Sequence, residues 1–423
     1  MAKKTDTPSV SIPDGIRNPL MYALRAGSNG SKFETNAAVV SYKTGIAPLD
    51  YYLGYRVNVY DDNNQIVDSY PSVGIPAGSY ILFAGKPSSS KTTTAVQIAS
   101  NIVRNFPSGS VIHYDVEQAL NYSRIQALSK FSMRDMEDGK YVLRQENSSV
   151  DDIYEGIMAI YFEKTKNPER YMYNTGKLNE FGKEIRLFEP TVVIIDSIAS
   201  LSMHYDENNK DDIKKISELE GNTYANRLAR DISQFFTKLL PRLRTANIIL
   251  IAINQVKTKV DVGPVKSASS FMYMKQDETL PGGWAPQFYA HIFLKFVAMT
   301  SEKYVEEDDG FDGFGVQAQI LKSRTNQAGQ ACNMIYDKIR GIDPIRTTLK
   351  YAKDNGLLNG NRNASYFLDD KENKFSMVNV HDEFKARPEL YKAMYDTVIP
   401  HLQERLSEVA PEELDYDENV MDY

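Results

Sequence analysis

Residues 80–92 read YILFAGKPSSSKT, and the architecture of the chain unfolds from that stretch. Its first five residues are apolar and lack alternation, as a strand buried on both faces requires. Gly85-Lys86-Pro87-Ser88-Ser89-Ser90-Lys91-Thr92 then has the layout G-x-x-x-x-G-K-[ST], except that Ser90 stands where the second glycine is expected. In such a loop, backbone N–H groups and the start of the next helix surround phosphates. The lysine reaches the outer phosphates and the hydroxyl is available to Mg²⁺. The apolar spacing of TTTAVQIASNIV, from Thr92 onward, predicts that helix over 92–105. A Ser-rich strand-to-helix turn with an incidental lysine is the other reading of the octet.

Outward from this unit, short β-branched runs alternate with helix-length segments, the pattern of a parallel sheet covered on both faces. Strands are predicted at Tyr80–Ala84, Val111–Tyr114, Thr191–Ile195, Ile248–Ile253, Ile292–Phe296 and Val316–Leu321. Helices are predicted at Thr92–Asn105, Asp151–Glu163, Thr223–Arg242 and Glu184–Phe188. Ligands of doubly wound sheets bind beyond the carboxyl ends of strands. Four strands end in polar candidates: the loop at Gly85, then Asp115 and Glu117, then Asp196, then Asn254 and Gln255.

Asp196 closes an apolar strand and, beside the loop at Gly85, fits a carboxylate that holds Mg²⁺ opposite Lys91, where alone it would read as a helix cap or turn residue. Glu117 offers a carboxylate able to orient and deprotonate an attacking water. Asp115 either tunes that site or caps a strand-end turn. The Gln255 amide suits contact with a γ-phosphate, and taken without its neighbours reads as a surface turn amide. The segment from Val256 to Pro281 carries Lys257, Lys259, Lys266 and Lys275 with Phe271 and Tyr273, the cations and flat rings that a single-strand binding loop needs. A second long loop, Ser202 to Asn222, holds Lys210, Lys214 and Lys215 among many acids.

The net charge of −7 would argue against a nucleic-acid partner, but seven acids and no bases lie between Glu408 and Tyr423, so the remainder is neutral and can hold a basic groove. That acidic tail, 408–423, reads as disordered, either competing with DNA or simply solubilising. A single cysteine, Cys332, excludes a disulfide framework and a Cys-rich zinc site. No apolar run approaches membrane-spanning length and the N-terminus lacks a signal pattern, so a cytoplasmic protein without membrane attachment is expected, in the host cytoplasm or replication compartment if the source is viral.

Together these residues resemble the RecA family of recombinases, and within it the UvsX-type recombinases of tailed phages. GKPSSSKTT is similar to the family's Walker A loop, HYDVEQALN to the turn with its catalytic glutamate, VVIIDSIASL to its Walker B strand, and IILIAINQ to the strand ending in its γ-phosphate-sensing glutamine. PGGWAPQFYA resembles the segment that closes the second DNA-binding loop, and QILKSRT the strand whose basic pair reaches the neighbouring subunit's ATP. The likeness spans roughly residues 44–358. UvsX-type proteins also depart from glycine at the place of Ser90.

The resemblance implies an α/β fold: a RecA-like P-loop ATPase core at 46–350 with a mostly parallel twisted sheet flanked by helices and bearing the DNA-binding loops. An N-terminal appendage at 1–45, for subunit packing, and a small helical C-terminal region at 351–407 would flank it. It implies an ATP- and Mg²⁺-dependent, DNA-stimulated ATPase. Gly85, Ser88, Ser89, Ser90, Lys91, Thr92, Thr93 and Asp196 would bind the nucleotide, with Asn121 and Arg124 on the adenine and Thr92 and Asp196 on the metal. Glu117, Lys91 and Gln255 would act on the phosphates, joined by Lys322 and Arg324 from the next subunit. Lys257, Lys259, Lys266, Phe271, Lys275, Gly282 and Gly283 would contact DNA. Expected partners are single-stranded DNA, homologous duplex, further copies in a helical filament, and single-strand binding and loader proteins. A RecA-fold hexameric helicase and a non-hydrolysing DNA-binding filament module are the alternatives. The insertions Arg56 to Pro71 and Lys164 to Arg186 lie outside the pattern.

Overall fold

The computed structural model describes residues 39–146, 149–203, 221–258, 274–275, 277–299, 312–368 and 370–406. One nine-stranded sheet dominates it. Its strands are β1 (Tyr80–Gly85), β2 (Ser110–Asp115), β3 (Tyr141–Arg144), β4 (Thr191–Asp196), β5 (Ile248–Gln255), β6 (Ile292–Met299), β7 (Gly313–Ser323), β8 (Ala331–Asp337) and β9 (Gly341–Ile342). Their order across the sheet is β9-β8-β7-β6-β1-β5-β4-β2-β3. From β6 through β1, β5, β4 and β2 to β3 every pairing is parallel. The strands β7, β8 and β9 continue beyond β6 as an antiparallel edge. This is the mostly parallel α/β sheet that the apolar runs predict.

The central strands carry apolar side chains on both faces because both faces are covered. Ile81 and Phe83 of β1 enter one core, with Ala95, Ile98, Ala99 and Ile102 of helix α1 (Lys91–Val103). Tyr80, Leu82 and Ala84 enter the other. Helix α2 (Tyr122–Ser129) lies on the α1 side, and α3 (Val150–Lys166) and α4 (Gly221–Ala246) cover the opposite face. In α4 the buried residues Ile232, Phe235, Phe236, Leu239 and Leu243 recur at helical spacing, so one stripe meets the sheet. A short helix, α5 (Ala285–Tyr289), precedes β6.

Glu184–Phe188 corrects the sequence reading: it is a strand, paired antiparallel with Met172–Leu178, not a helix. The period decides, because Glu184 and Arg186 are exposed while Ile185 and Leu187 are buried. The insertion Arg56 to Pro71 forms a second hairpin, Tyr55–Tyr60 with Ile66–Ser72. The two hairpins touch, the Tyr60 N–H donating to Glu180 O at 3.0 Å and the Tyr70 hydroxyl to Leu178 O at 2.6 Å. The C-terminal region expected from 351 begins within helix α6 (Pro344–Asp354). It is not wholly helical, since the hairpin Leu358–Asn361 with Ala364–Phe367 precedes helices Val380–Ala386 and Glu389–Gln403. Residues 1–38 of the predicted appendage and the acidic tail lie outside the described residues. Among the described residues no helix is long and apolar enough to cross a membrane.

Candidate nucleotide-binding site

The register of the four central strands brings their carboxyl ends to one level. Gly85 lies opposite Gln255 across β1 and β5, and Asp196 lies opposite Asp115 across β4 and β2. The chain leaves β1 through the Ser-rich loop and re-enters as α1 at Lys91. Ser88 and Ser90 have φ of 59° and 66°, in the left-handed region. Ser90 therefore occupies the backbone conformation that favours glycine at this position, a strain of roughly 1–2 kcal/mol for a residue with a Cβ. Its hydroxyl is buried and has no hydrogen-bond partner among the described residues.

Lys91 is buried and its ammonium donates to Lys86 O at 2.7 Å, within the loop itself. Burial lowers its pKa, and the nearby Asp196 and Glu117 carboxylates oppose that shift. The Thr92 hydroxyl donates to Asp196 Oδ2 at 2.5 Å, joining the first turn of α1 to the end of β4. Burial pushes the Asp196 carboxyl up to about 6 against that hydrogen bond, and the Glu117 and Asp115 charges push the same way. Behind Asp196, buried His113 has Nε2 4.0 Å from Oδ2 and Nδ1 2.8 Å from the Tyr141 hydroxyl. Burial takes its pKa down to about 4, so the ring is neutral at pH 7.

Glu117 is exposed and held from three directions. Gln255 Nε2 donates to its Oε1 at 2.8 Å, Ser197 Oγ at 2.6 Å and Ser200 Oγ at 3.3 Å. Asp115 instead accepts the Ala119 and Leu120 amides and Gln145 Nε2, which makes it the cap of the turn after β2. Lys91, Thr92, Asp196, Glu117 and Gln255 thus converge, and no described group of three or more His, Cys, Asp or Glu side chains is placed to hold a metal. A divalent ion at this site would be held by the Thr92 hydroxyl and the Asp196 carboxylate together with phosphate oxygens.

Asn121 and Arg124 lie at the start of α2, with Asn121 Oδ1 accepting the Arg124 N–H at 2.8 Å as an N-cap. The Arg124 guanidinium donates to Lys338 O, Ile339 O and the Tyr336 hydroxyl. That β8–β9 loop is fastened to α1 through Gln97, whose amide bonds Arg340 O and both polar backbone atoms of Ile342. The outer edge of the phosphate loop is framed in this way.

Lys322 and Arg324 are not brought to this cluster. Lys322 lies opposite Phe293, which lies opposite Leu82, and the Arg324 N–H donates to His291 O. At about 3.3 Å per residue they lie about 10 Å and about 17 Å back along the sheet from Gly85. Lys322 donates to Gln287 O at 3.3 Å and Phe288 O at 2.5 Å.

Of the residues assigned to DNA, Lys259, Lys266 and Phe271 lie outside the described residues. Lys257 is exposed in a two-residue strand, Lys257–Thr258, that pairs antiparallel with Glu278–Thr279, and Lys275 is exposed just before that pairing. Gly282 and Gly283 close the segment with φ of 86° and 73°. A Cβ on Gly282 would lie 3.0 Å from Ile198 Cγ2, so this turn packs on the residue two beyond Asp196. Asn254 donates to Pro281 O at 2.9 Å. Sequence reasoning singled out Asn254 only as a strand-end residue without a role, and missed Ser197 and Ser200 as positioning groups and the buried ion pair of Lys295 with Glu278 at 2.7 Å. Ser197 and Ser200 were signalled only by their place just past the end of β4, in Asp196-Ser197-Ile198-Ala199-Ser200.

With this geometry, likeness to known proteins becomes interpretable. The chain is similar to RecA proteins. It is 24% identical over 287 residues to that of Ruminococcus albus, covering 67% of this chain and 58% of the relative. To Protein RecA of Clostridium beijerinckii it is 23% identical over 344 residues, 76% of this chain and 78% of the relative. To that of Aquifex aeolicus it is 24% identical over 283 residues, 67% and 66%. These are distant homologues, and the chain spans little more than half the length of the first of them. No family model matches the chain.

Proposed function

We propose that this protein is an ATP-dependent homologous recombination protein of the RecA family, UvsX-like in replacing the loop glycine by Ser90. It would form a helical filament on single-stranded DNA and catalyse homologous pairing and strand exchange. The observation that carries the reading is the hydrogen bond between Gln255 and Glu117. It ties a group suited to sense a γ-phosphate to a group suited to activate water, at the root of a lysine- and aromatic-bearing segment.

Lys91 would exchange its bond to Lys86 O for phosphate oxygens, and the N–H groups of the loop and of the first turn of α1 would take the rest of the charge. Thr92 and Asp196 would hold Mg²⁺, which supplies charge neutralisation on the phosphates. Glu117 would orient the attacking water and accept its proton, with Ser197 and Ser200 fixing the carboxylate. Gln255 would choose between Glu117 and the terminal phosphate. Because Val256 N–H donates to Gly85 O at 3.1 Å, movement at Gln255 would reach the hairpin Lys257–Thr258 with Glu278–Thr279 directly. Lys322 and Arg324, remote from their own loop, would act on the nucleotide of the next copy. DNA recognition would rest on phosphates and stacking, with little sequence preference.

ATP turnover with and without single-stranded DNA, followed by strand exchange between homologous substrates, tests the reading. DNA-stimulated hydrolysis together with exchange supports it. Closed six-membered rings in electron micrographs without exchange would replace it by a helicase, and absent turnover by a DNA-binding filament module.

A further inference from the structure

The end of the sheet remote from the phosphate loop carries a group of cations that the family likeness only partly absorbs. His291, just before β6, accepts the Tyr80 N–H on Nδ1 at 3.1 Å, leaving Nε2 as its protonated nitrogen. Burial, with Arg324, Arg244 and Lys322 next in effect, holds its pKa down to about 4. These three cations reach the neighbourhood of one histidine from different elements. Lys322 and Arg324 come from the end of β7, and Arg244 from the last turn of α4.

They also share a face. Lys322 lies opposite Phe293, a member of the core that α4 covers. The α4 end is held at this level of the sheet, since a Cβ on Gly78, two residues before β1, would lie 2.6 Å from Arg244 Cα. Among the described residues no carboxylate pairs with Arg244 or Arg324, and both are exposed. Like charges gathered without a counter-ion repel, and a polyanion relieves that repulsion.

We propose that Arg244 is a third member, with Lys322 and Arg324, of a receptor for the nucleotide phosphates of a second copy of this chain. The proposal rests on the reading of Lys322 and Arg324 as residues that act on the neighbouring copy. A nucleotide fits this place better than a DNA strand does. The segment assigned to DNA leaves the sheet at the other end, beyond Gln255, whereas a nucleotide held in a neighbour's loop would bring several negative charges to one point. A basic residue in the last turn of a helix also complements the helix dipole. That role alone would affect stability and nothing at the neighbour's site.

Mixing variants separates these cases. Arg244→Gln, Arg324→Gln and Lys91→Ala would each be assayed for DNA-stimulated ATP turnover alone and in equimolar pairs with Lys91→Ala. An Arg244→Gln protomer keeps an intact phosphate loop and a Lys91→Ala protomer keeps an intact Arg244, so one interface type in the mixture is complete. Arg244→Gln alone is expected to need about tenfold more ATP for half-maximal turnover, the effect of one charged contact. Its mixture with Lys91→Ala should regain parental ATP dependence, and Arg244→Lys should keep most of it. Binding of a fluorescent ATP analogue below the assembly concentration should be unchanged. If Arg324→Gln is complemented and Arg244→Gln is not, Arg244 is excluded from the receptor. If neither is complemented, the cross-subunit reading itself fails. Loss of nucleotide-free DNA binding, or of melting temperature alone, in Arg244→Gln would give the residue to DNA or to the helix end and overturn the proposal.

Discussion

Replacing Lys295 by methionine tests whether the base of the DNA-assigned segment is fastened to the nine-stranded sheet. Lys295 lies on β6 opposite Ala84, one residue before the phosphate loop, and its ammonium is 2.7 Å from Glu278 Oε2. The two side chains are 8% and 7% exposed. At that separation and an effective dielectric constant near 20 the attraction is about 6 kcal/mol. Drying the two ions costs several kcal/mol each, so the intact pair adds little to stability. Breaking it is different, because Lys295→Met leaves a buried carboxylate whose other partner is the Lys275 N–H at 2.9 Å. The expected loss is about 3 kcal/mol.

Urea unfolding at pH 7 measures it, with Glu278→Leu and the double variant completing the cycle. Each single change should cost about 3 kcal/mol, and the double should recover at least half of the sum. The coupling should persist at high salt, since a buried pair is weakly screened. Additive single effects below about 0.5 kcal/mol, the range of exposed pairs, would refute the argument. The double variant, stable but lacking the clasp, should bind single-stranded DNA with a reduced response to nucleotide.

Three further outcomes follow from individual groups. Burial pushes the Asp50 carboxyl up to about 7, although Thr44 N–H and Oγ1 both donate to it at 2.6 Å; its stabilising protonation is complete below pH 3.8 and lost as pH rises through about 7. Asp50→Asn should therefore gain on the parent by about 4 kcal/mol between pH 4 and 8 in thermal melts, and parallel pH profiles would disprove the burial argument. Ser90→Gly should change stability by under about 0.5 kcal/mol, since relief of the left-handed backbone offsets the added freedom of the unfolded chain. Ser90→Val should lose about 2 kcal/mol, and equal melting of the two variants would rule out the φ of 66°. Glu117→Gln should keep nucleotide binding and lower turnover by about 10²–10⁴-fold; parental phosphate release would remove Glu117 from the chemistry.

The sheet was legible because its central strands are buried on both faces, and that requirement leaves uninterrupted apolar runs such as TVVII and IILIAI. Strands at its margins lack that mark. Tyr141–Arg144 and Ala331–Asp337 mix buried with half-buried positions, and Glu184–Phe188 was misread because five residues offer too few repeats to separate a period of 2 from 3.6. The site divides the same way. Lys91, Thr92, Asp196, Glu117 and Gln255 were singled out because strand ends place them, whereas Ser197 and the Lys295–Glu278 pair act through partners tens of residues away. Only folding reveals such pairings.

The two ends of the sheet also constrain assembly. The phosphate loop lies beyond the carboxyl end of β1, while Lys322 and Arg324 lie near the level where β1 begins. A nucleotide shared as proposed must join one end of one protomer to the other end of the next. That is a heterologous contact, using two different surfaces, and its repetition yields a ring when the rotation closes and a helix when it does not. A two-fold dimer joins like to like and would leave every nucleotide without its cations. The cross-subunit chemistry and head-to-tail assembly therefore stand together. Nucleotide-dependent assembly that stopped at a symmetric dimer with full turnover would break both at once, even with Lys91, Glu117 and Asp196 performing as the site geometry requires.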